Sequence, residues 1–122
     1  MIYKPVEKES QVYDLDTMLP FPCGFLSYVV KGIRPNDGLQ PQFHRSFRVI
    51  QAASFLQRFA SDRSHMIDKE GKYMSNPPSY PCIKTLECEN NIQDFISMDP
   101  SVGYGPVKSF KDFVNFFLNK ND

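Results

Sequence analysis

Residues 13–23, Tyr-Asp-Leu-Asp-Thr-Met-Leu-Pro-Phe-Pro-Cys, place two carboxylates and a thiol close together in the chain. Asp14 and Asp16 end a predicted strand, just before a proline-framed turn and Cys23. Alternate residues of an extended chain share a side, so Val12, Asp14 and Asp16 are predicted to face one way. As a pair the two acids could bind a cation or act as general acid and base. The simpler interpretation is that Asp16 closes the turn while Asp14 is exposed.

The cysteines offer two further kinds of chemistry. Helical periodicity places Cys23 at the start of a helix, where backbone N–H groups favour a thiolate, and its base would be His44 or His65. No local motif links either histidine to Cys23, and the alternative is a buried core thiol. Cys82 and Cys88 could join a histidine around zinc, but the chain has neither CxxC nor HxxxH, which favours ordinary thiols and no metal.

Two polar or proline-rich motifs allow a binding role and a structural one. The cluster of residues 62–65, Asp-Arg-Ser-His, follows a predicted helix and is either a binding loop or, as its composition favours, a solvated helix end. Pro78 and Pro81 form a PxxP motif, the minimal mark of a polyproline ligand. Turn geometry explains this motif more simply.

Composition narrows the class of protein. The 122 residues carry 14 basic and 14 acidic side chains, a balance that argues against a non-specific nucleic-acid or anionic-membrane binder. No apolar run approaches the roughly 20 residues needed to span a bilayer, and residues 1–9 resemble no signal peptide. Three cysteines fit a reducing compartment better than a disulfide scaffold. We therefore expect a single cytoplasmic or nuclear domain over residues 1–122, with a core rich in phenylalanine rings.

Hydrophobic periodicity predicts a mixed α/β (α+β) fold with a small, mostly antiparallel sheet flanked by helices. Strands are predicted over 10–16 and 46–50, helices over 21–30, 52–60, 91–96 and from 109 onward, and an ordered loop over 61–91. These are few strands for a closed sheet, which suggests that a piece of the fold is missing.

Particular residues are predicted to begin, end or anchor these helices. Pro22 suits the first turn of the 21–30 helix, and Gly32 suits its end. Phe55, Leu56 and Phe59 are predicted to point inward from the second helix. Asn91 is a predicted cap for the third helix, and residues 109–112, Ser-Phe-Lys-Asp, resemble a capping box for the last. Tight turns are predicted at 35–38 and 103–106.

Four blocks of the chain resemble the protein N-terminal glutamine amidohydrolase family, in the family's order and at compatible spacings. The likeness runs from about Val12 to Phe117 and includes the strand at 47–50 and the turn at 103–105. The blocks are residues 13–23, 59–66, 77–83 and 94–100.

The resemblance implies a hydrolase that converts the N-terminal glutamine of a protein to glutamate and releases ammonia, a step in the N-degron pathway. It also implies a papain- or transglutaminase-like fold, a Cys-His-Asp triad, no metal or organic cofactor, and a monomer when complete. The partner would be a protein or peptide that begins with glutamine. The family's catalytic acid falls on Asp14. A buried ammonium needs a carboxylate or carbonyl oxygens as its partner, and Asp62 and Asp99 are the candidate acids to bind the substrate's α-ammonium.

The resemblance also leaves two triad members without a position in this sequence. In the family the Cys and the His precede the Tyr-Asp-Leu-Asp block, whereas here no histidine precedes His44 and no cysteine precedes Cys23. We expect this chain to be the C-terminal part of the enzyme, with the Cys and His encoded upstream of Met1. Residues 1–122 alone are then expected to be inactive and to expose a sheet edge that favours aggregation. The alternative is a non-catalytic interaction module that keeps the loop over 61–91.

Overall fold

The computed structural model describes residues 1–118; the last four residues of the predicted 1–122 domain lie outside this part. Two small antiparallel sheets form. β1 (Ile2–Tyr3), β2 (Gln11–Val12) and β3 (Cys23–Gly24) pair in that order, with Val12 opposite both Ile2 and Cys23. β4 (Ser46–Arg48) and β5 (Val107–Ser109) form the second sheet. The prediction of a mixed α/β chain with small antiparallel sheets is confirmed.

Four α-helices are present in the described residues: α1 (Phe25–Tyr28), α2 (Ala52–Arg58), α3 (Ile92–Ile96) and α4 (Phe110–Phe117). A π-helical turn over Val29–Ile33 continues α1, and short 3₁₀ turns cover Pro41–Phe43 and Ser64–Met66. All these helices are short, and within residues 1–118 none has the length and apolar character required to cross a membrane.

The described residues divide into two compact units, and aromatic rings fill the core of the first, which contains residues 1–47 and 108–118. Phe25 is fully buried, with its ring centroid 5.6 Å from that of Phe113 and 5.3 Å from that of Phe117. Phe47 stacks on Phe113 at 4.2 Å. The predicted phenylalanine-rich core is therefore confirmed here.

The start of α4 matches the predicted capping box in its main feature. Ser109 Oγ accepts a hydrogen bond from the Asp112 N–H at 3.1 Å and donates to Asp112 Oδ2 at 2.7 Å. The acid thus bonds the capping hydroxyl rather than the Ser109 backbone. One turn apart on the inner face, Phe113 and Phe117 are buried, and Ser10 Oγ, just before β2, donates to Phe117 O at 2.7 Å.

The second unit, Arg48–Val107, has its own aromatic cluster. Phe59 stacks on Phe55 at 4.8 Å, and Phe95 of α3 lies 5.4 Å from Phe59 and 5.0 Å from Tyr104. Leu56, predicted to point inward, is 82% exposed. Phe55 is also 40% exposed, although its ring contacts those of Phe59 and Phe95, and Phe59, which directly follows α2, is half-buried. Leu56 lies about 100° around the helix from Phe55.

Asn91 precedes α3 as predicted, but its side chain does not cap that helix. Its Oδ1 accepts from the Ala60 N–H at 2.8 Å, and its Nδ2 donates to Arg58 O at 2.7 Å. The amide therefore ties down the end of α2, where a buried backbone would otherwise lack partners.

The predicted turn at 103–106 is confirmed and is held by Arg48. The Arg48 guanidinium donates to the carbonyl oxygens of Ser97, Asp99, Tyr104 and Gly105 at 2.7–3.0 Å. Gly105 has a positive φ of 69°, and a Cβ there would lie 2.0 Å from Val49 O. Only glycine fits this position.

The structure corrects the predictions for residues 10–33. The strand predicted over 10–16 ends at Val12, because the chain beyond Tyr13 turns instead of continuing the ladder. The helix predicted over 21–30 begins only at Phe25, because Cys23 and Gly24 pair with β2. Gly32 does not end this helix; the π-helical turn continues through it, and the chain leaves at Arg34 with a φ of 65°.

Candidate functional site

Asp14 lies just beyond β2, where its carboxylate accepts two hydrogen bonds on different oxygens. Oδ1 accepts from the Asp16 backbone N–H at 2.9 Å, and Oδ2 accepts from the Tyr28 hydroxyl at 2.6 Å. Tyr28 is the last residue of α1, the helix that follows β3 directly. The pairing of β3 with β2 thus brings a hydroxyl from the end of α1 to the acid at the end of β2.

A cleft of about 540 Å³ opens beside this acid. Asp14 is partly exposed in it, so a further group could reach the carboxylate. The wall is mostly apolar apart from the acids and the tyrosine hydroxyls, and its lining residues are Met1, Ile2, Val12, Tyr13, Asp14, Leu15, Asp16, Tyr28, Ile33 and Phe113.

The two hydrogen bonds define the charge state of this pair. The Tyr28 hydroxyl, and after it the Asp16 N–H, lower the pKa of Asp14 below its usual value. The same bond to Asp14 raises the pKa of Tyr28 to about 12. At neutral pH the site therefore holds an anionic carboxylate and a neutral phenol that donates to it.

The simpler interpretation of the two acids was wrong about which one closes the turn. Asp14, not Asp16, accepts the backbone hydrogen bond, and Asp14 is partly buried. Asp16 is exposed and contributes its backbone N–H. Because the strand ends at Val12, the extended geometry that would have put both carboxylates on one side is absent.

Cys23 lies in β3 rather than at a helix start. It is 3% exposed, and its Sγ lies 3.5 Å from Gly24 O, which accepts its hydrogen bond. His44 is exposed, and its Nε2 lies 2.9 Å from Leu39 O. The alternative of a buried core thiol is confirmed, and in residues 1–118 neither histidine ring bonds Cys23.

Asp62 and Asp99 are exposed acids of the second unit, and each closes a local turn. Asp62 Oδ1 accepts from the Ser64 N–H at 2.9 Å, and Asp99 Oδ1 accepts from the Ser101 N–H at 2.8 Å and the Ser101 hydroxyl at 2.6 Å. The serine side chains, then their N–H groups, lower the pKa of both acids. Both are therefore anions at neutral pH.

The cluster at 62–65 organises the loop over 61–91 through Arg63. This residue has a φ of 60°, and its guanidinium donates to the carbonyl oxygens of Pro78, Tyr80 and Pro81 at 3.4, 2.8 and 3.3 Å. The guanidinium also lies 5.1 Å from the Tyr80 ring centroid. The carbonyls of the PxxP segment therefore accept hydrogen bonds from Arg63 of the same chain. The cluster at 62–65 is thus more than a solvated helix end.

The described residues contain no zinc site formed by the cysteines and histidines. Cys82 and His65 are exposed, and Cys88 is half-buried near a turn closed by Thr85. Over residues 1–118, no three His, Cys, Asp or Glu side chains are grouped so that they could hold a metal ion.

Sequence reasoning missed Tyr28 as a partner of Asp14. Tyr28 lies within the predicted 21–30 helix but on neither of its two apolar rows, and nothing local links it to an acid fourteen residues earlier. The one available signal was a hydroxyl-bearing ring beside the buried positions Phe25 and Val29.

Comparison with known proteins identifies the family. The family model described as N-terminal glutamine amidase matches residues 1–117, and this chain belongs to that family. The protein N-terminal glutamine amidohydrolase of Bos taurus is 53% identical over 113 residues, which are 93% of this chain and 55% of the relative.

Two other relatives carry the same name. The Homo sapiens protein is 53% identical over 110 residues, covering 90% of this chain and 54% of the relative. The Danio rerio protein is 45% identical over 117 residues, covering 96% of this chain and 58% of the relative. The chain thus spans somewhat more than half the length of the curated relatives it matches.

Proposed function

We propose that this protein acts in protein N-terminal glutamine deamidation, converting an N-terminal glutamine to glutamate with release of ammonia. The observation that carries the proposal is the family match across residues 1–117. The names of the bovine, human and zebrafish relatives supply the reaction. The papain- or transglutaminase-like fold of a cysteine hydrolase is part of the proposal, and the mixed α/β chain with small antiparallel sheets is compatible with it.

The proposed chemistry is acyl transfer through a thioester. A cysteine thiolate attacks the side-chain amide carbon of the substrate, and a histidine takes the thiol proton and passes one to the departing ammonia. Water then cleaves the thioester and leaves glutamate. The thiol and the imidazole are proposed to come from the part of the family's length that residues 1–122 do not cover.

Asp14 is the acid that this chain supplies to the triad. In such a triad the acid holds the imidazole in the required tautomer and stabilises the imidazolium that forms. The support is geometric and electrostatic: Asp14 is anionic, each of its oxygens accepts one hydrogen bond, and it lines an open cleft. An ionised carboxylate has about four acceptor positions, so the observed bonds leave room for an imidazole N–H.

The substrate's α-ammonium needs a carboxylate or carbonyl oxygens as its partner, and Asp62 and Asp99 remain the proposed acids. Both are exposed anions held in fixed orientation by serine. Loss of a charged contact made equally in the ground and transition states raises KM without lowering kcat. An unchanged KM for the glutamine peptide in Asp99→Asn would remove Asp99 from this role, and the same measurement applies to Asp62→Asn.

The test uses the protein expressed from its complete coding sequence. Ammonia release is measured with a peptide that begins with glutamine and with matched peptides that begin with asparagine or carry glutamine internally. We expect release only from the first. Asp14→Asn should lower kcat on the order of 10⁴-fold, as a wrong imidazole tautomer does in an analogous triad.

Asp37→Asn is the matched control, because Asp37 is an exposed acid in a turn of the same unit and the chemical change is identical. This control should keep the parent rate. A folded parent protein that releases no ammonia from the glutamine peptide would overturn the proposed function. Full activity in Asp14→Asn would overturn the role of Asp14.

A further inference from the structure

We propose that Tyr28 is a positioning residue for the catalytic acid: its hydroxyl holds the Asp14 carboxylate in the orientation that presents it to the triad histidine. This inference rests on the proposed function and adds to the triad a fourth residue, which acts through Asp14. It begins from one contact, the 2.6 Å hydrogen bond from Tyr28 Oη to Asp14 Oδ2.

The carboxylate would be poorly fixed without this bond. Asp14 lies past the end of β2, and the last backbone pair before it in the described residues joins Tyr13 to Met1. The Asp16 N–H binds one oxygen, which leaves the carboxylate plane free to rotate about that contact. A second donor on the other oxygen removes this freedom, because two hydrogen bonds on different atoms define a plane.

Tyr28 is itself rigidly placed. It ends α1, whose residue Phe25 and following residue Val29 are both buried. Its ring packs over Gly32, where an added Cβ would lie 3.3 Å from Tyr28 Cε2 and 3.4 Å from Leu19 Cδ1. The π-helical turn thus places Gly32 against the tyrosine ring. The ring fits there because glycine has no side chain, and the backbone of the turn limits its movement on that side.

The proton in this bond belongs to Tyr28 throughout the pH range in which a cysteine amidase works. Its pKa of about 12 and the lowered pKa of Asp14 keep the donor and the acceptor in these roles. Among the described residues, the other titratable groups near the pair include the Asp16 carboxylate and the Tyr13 hydroxyl, which line the same cleft, and the Cys23 thiol, which raises the pKa of Tyr28. Tyr28 is thus a donor that orients and polarises Asp14, and it exchanges no proton with substrate.

The test replaces Tyr28 with phenylalanine in the protein expressed from its complete coding sequence. We expect kcat for the glutamine peptide to fall about 10-fold, the scale of a hydrogen bond to a charged group, with KM nearly unchanged. The pKa of the Asp14 carboxyl group, followed through the ¹³C NMR shift of its carboxyl carbon, should rise because its strongest donor is gone. A residue with a merely structural role would not shift this pKa. Tyr3→Phe is the control, since Tyr3 is 58% exposed in the same unit and the same hydroxyl is removed.

A second variant covers the case in which Tyr28→Phe fails to fold. Gly32→Ala keeps the hydroxyl but pushes on the ring, so kcat should fall and the Asp14 pKa should rise in the same directions. An active parent in which Asp14→Asn is inactive but Tyr28→Phe keeps its kcat would overturn this inference and leave the proposed function intact. A parent inactive on the glutamine peptide would overturn the proposed function, and this inference with it.

Discussion

Truncating Phe25 to alanine should remove a large part of the stability of the first unit. Phe25 is fully buried, contacts the rings of Phe113 and Phe117, and begins α1, the helix that carries Tyr28. Its backbone N–H donates to Ser10 O at 2.9 Å, so its side chain is held on a backbone that is fixed by other bonds. The cavity left by alanine would therefore collapse only in part.

The magnitude follows from this burial. A buried aromatic side chain removes about 150–250 Å² from water, which at about 25 cal/mol per Å² corresponds to about 4–6 kcal/mol. Truncations of buried phenylalanine in other proteins cost about 3–5 kcal/mol. We expect a loss of about 4 kcal/mol, which is a large fraction of the 5–15 kcal/mol of total stability that is typical of proteins.

The assay is urea unfolding of the protein expressed from its complete coding sequence, followed by far-UV circular dichroism. The matched control is Phe43→Ala in the same unit, because Phe43 is 62% exposed and should change stability by no more than about 0.5 kcal/mol. A loss below about 1 kcal/mol for Phe25→Ala at unchanged m-value would refute the assignment of Phe25 as the central core residue. So would an equal loss for Phe43→Ala.

Three further predictions concern a cap, a loop and pH. Ser109→Ala should cost about 1 kcal/mol in the same urea assay through loss of the α4 cap, whereas Ser46→Ala, at an exposed serine, should not. Arg63→Lys should speed chymotrypsin cleavage of the loop over 61–91, because lysine cannot bond the carbonyls of residues 78–81 together; an unchanged digestion rate would contradict this. Because folding lowers the pKa of Asp14, its ionised carboxylate stabilises the fold at pH values above the unfolded-state pKa, and this stabilisation is lost as the pH falls through the folded-state pKa. The urea midpoint should therefore drop in acid less steeply in Asp14→Asn than in the parent.

Elements governed by local chemistry could be predicted from the sequence. The cap of α4 needs only Ser109 and Asp112, three residues apart, and it forms. The turn at 103–106 needs glycines with positive φ, and both Gly103 and Gly105 have it. In each case neighbours in the chain set the backbone preference, and where a distant residue takes part, as Arg48 does at the turn, it supports the same conformation.

Elements that depend on distant partners could not be predicted from the sequence. Residues 21–30 have helical periodicity, yet Cys23 and Gly24 form a strand because β2 offers them backbone partners. Asn91 has the side chain of a cap, yet it bonds Ala60 and Arg58, about thirty residues away. The competing interaction was in each case a non-local hydrogen bond, which no window of sequence displays.

The sequence by itself determined the family and singled out Asp14, because both depend on residue identities in order along the chain. The role of Asp14 as the triad acid remains a prediction. Only the tertiary structure decided the surroundings of that acid: the turn to Asp16, the cleft beside it and the hydroxyl of Tyr28. The physical reason is that Asp14 and Tyr28 meet only after β3 has paired with β2 and turned the chain back, a contact created by folding across fourteen residues.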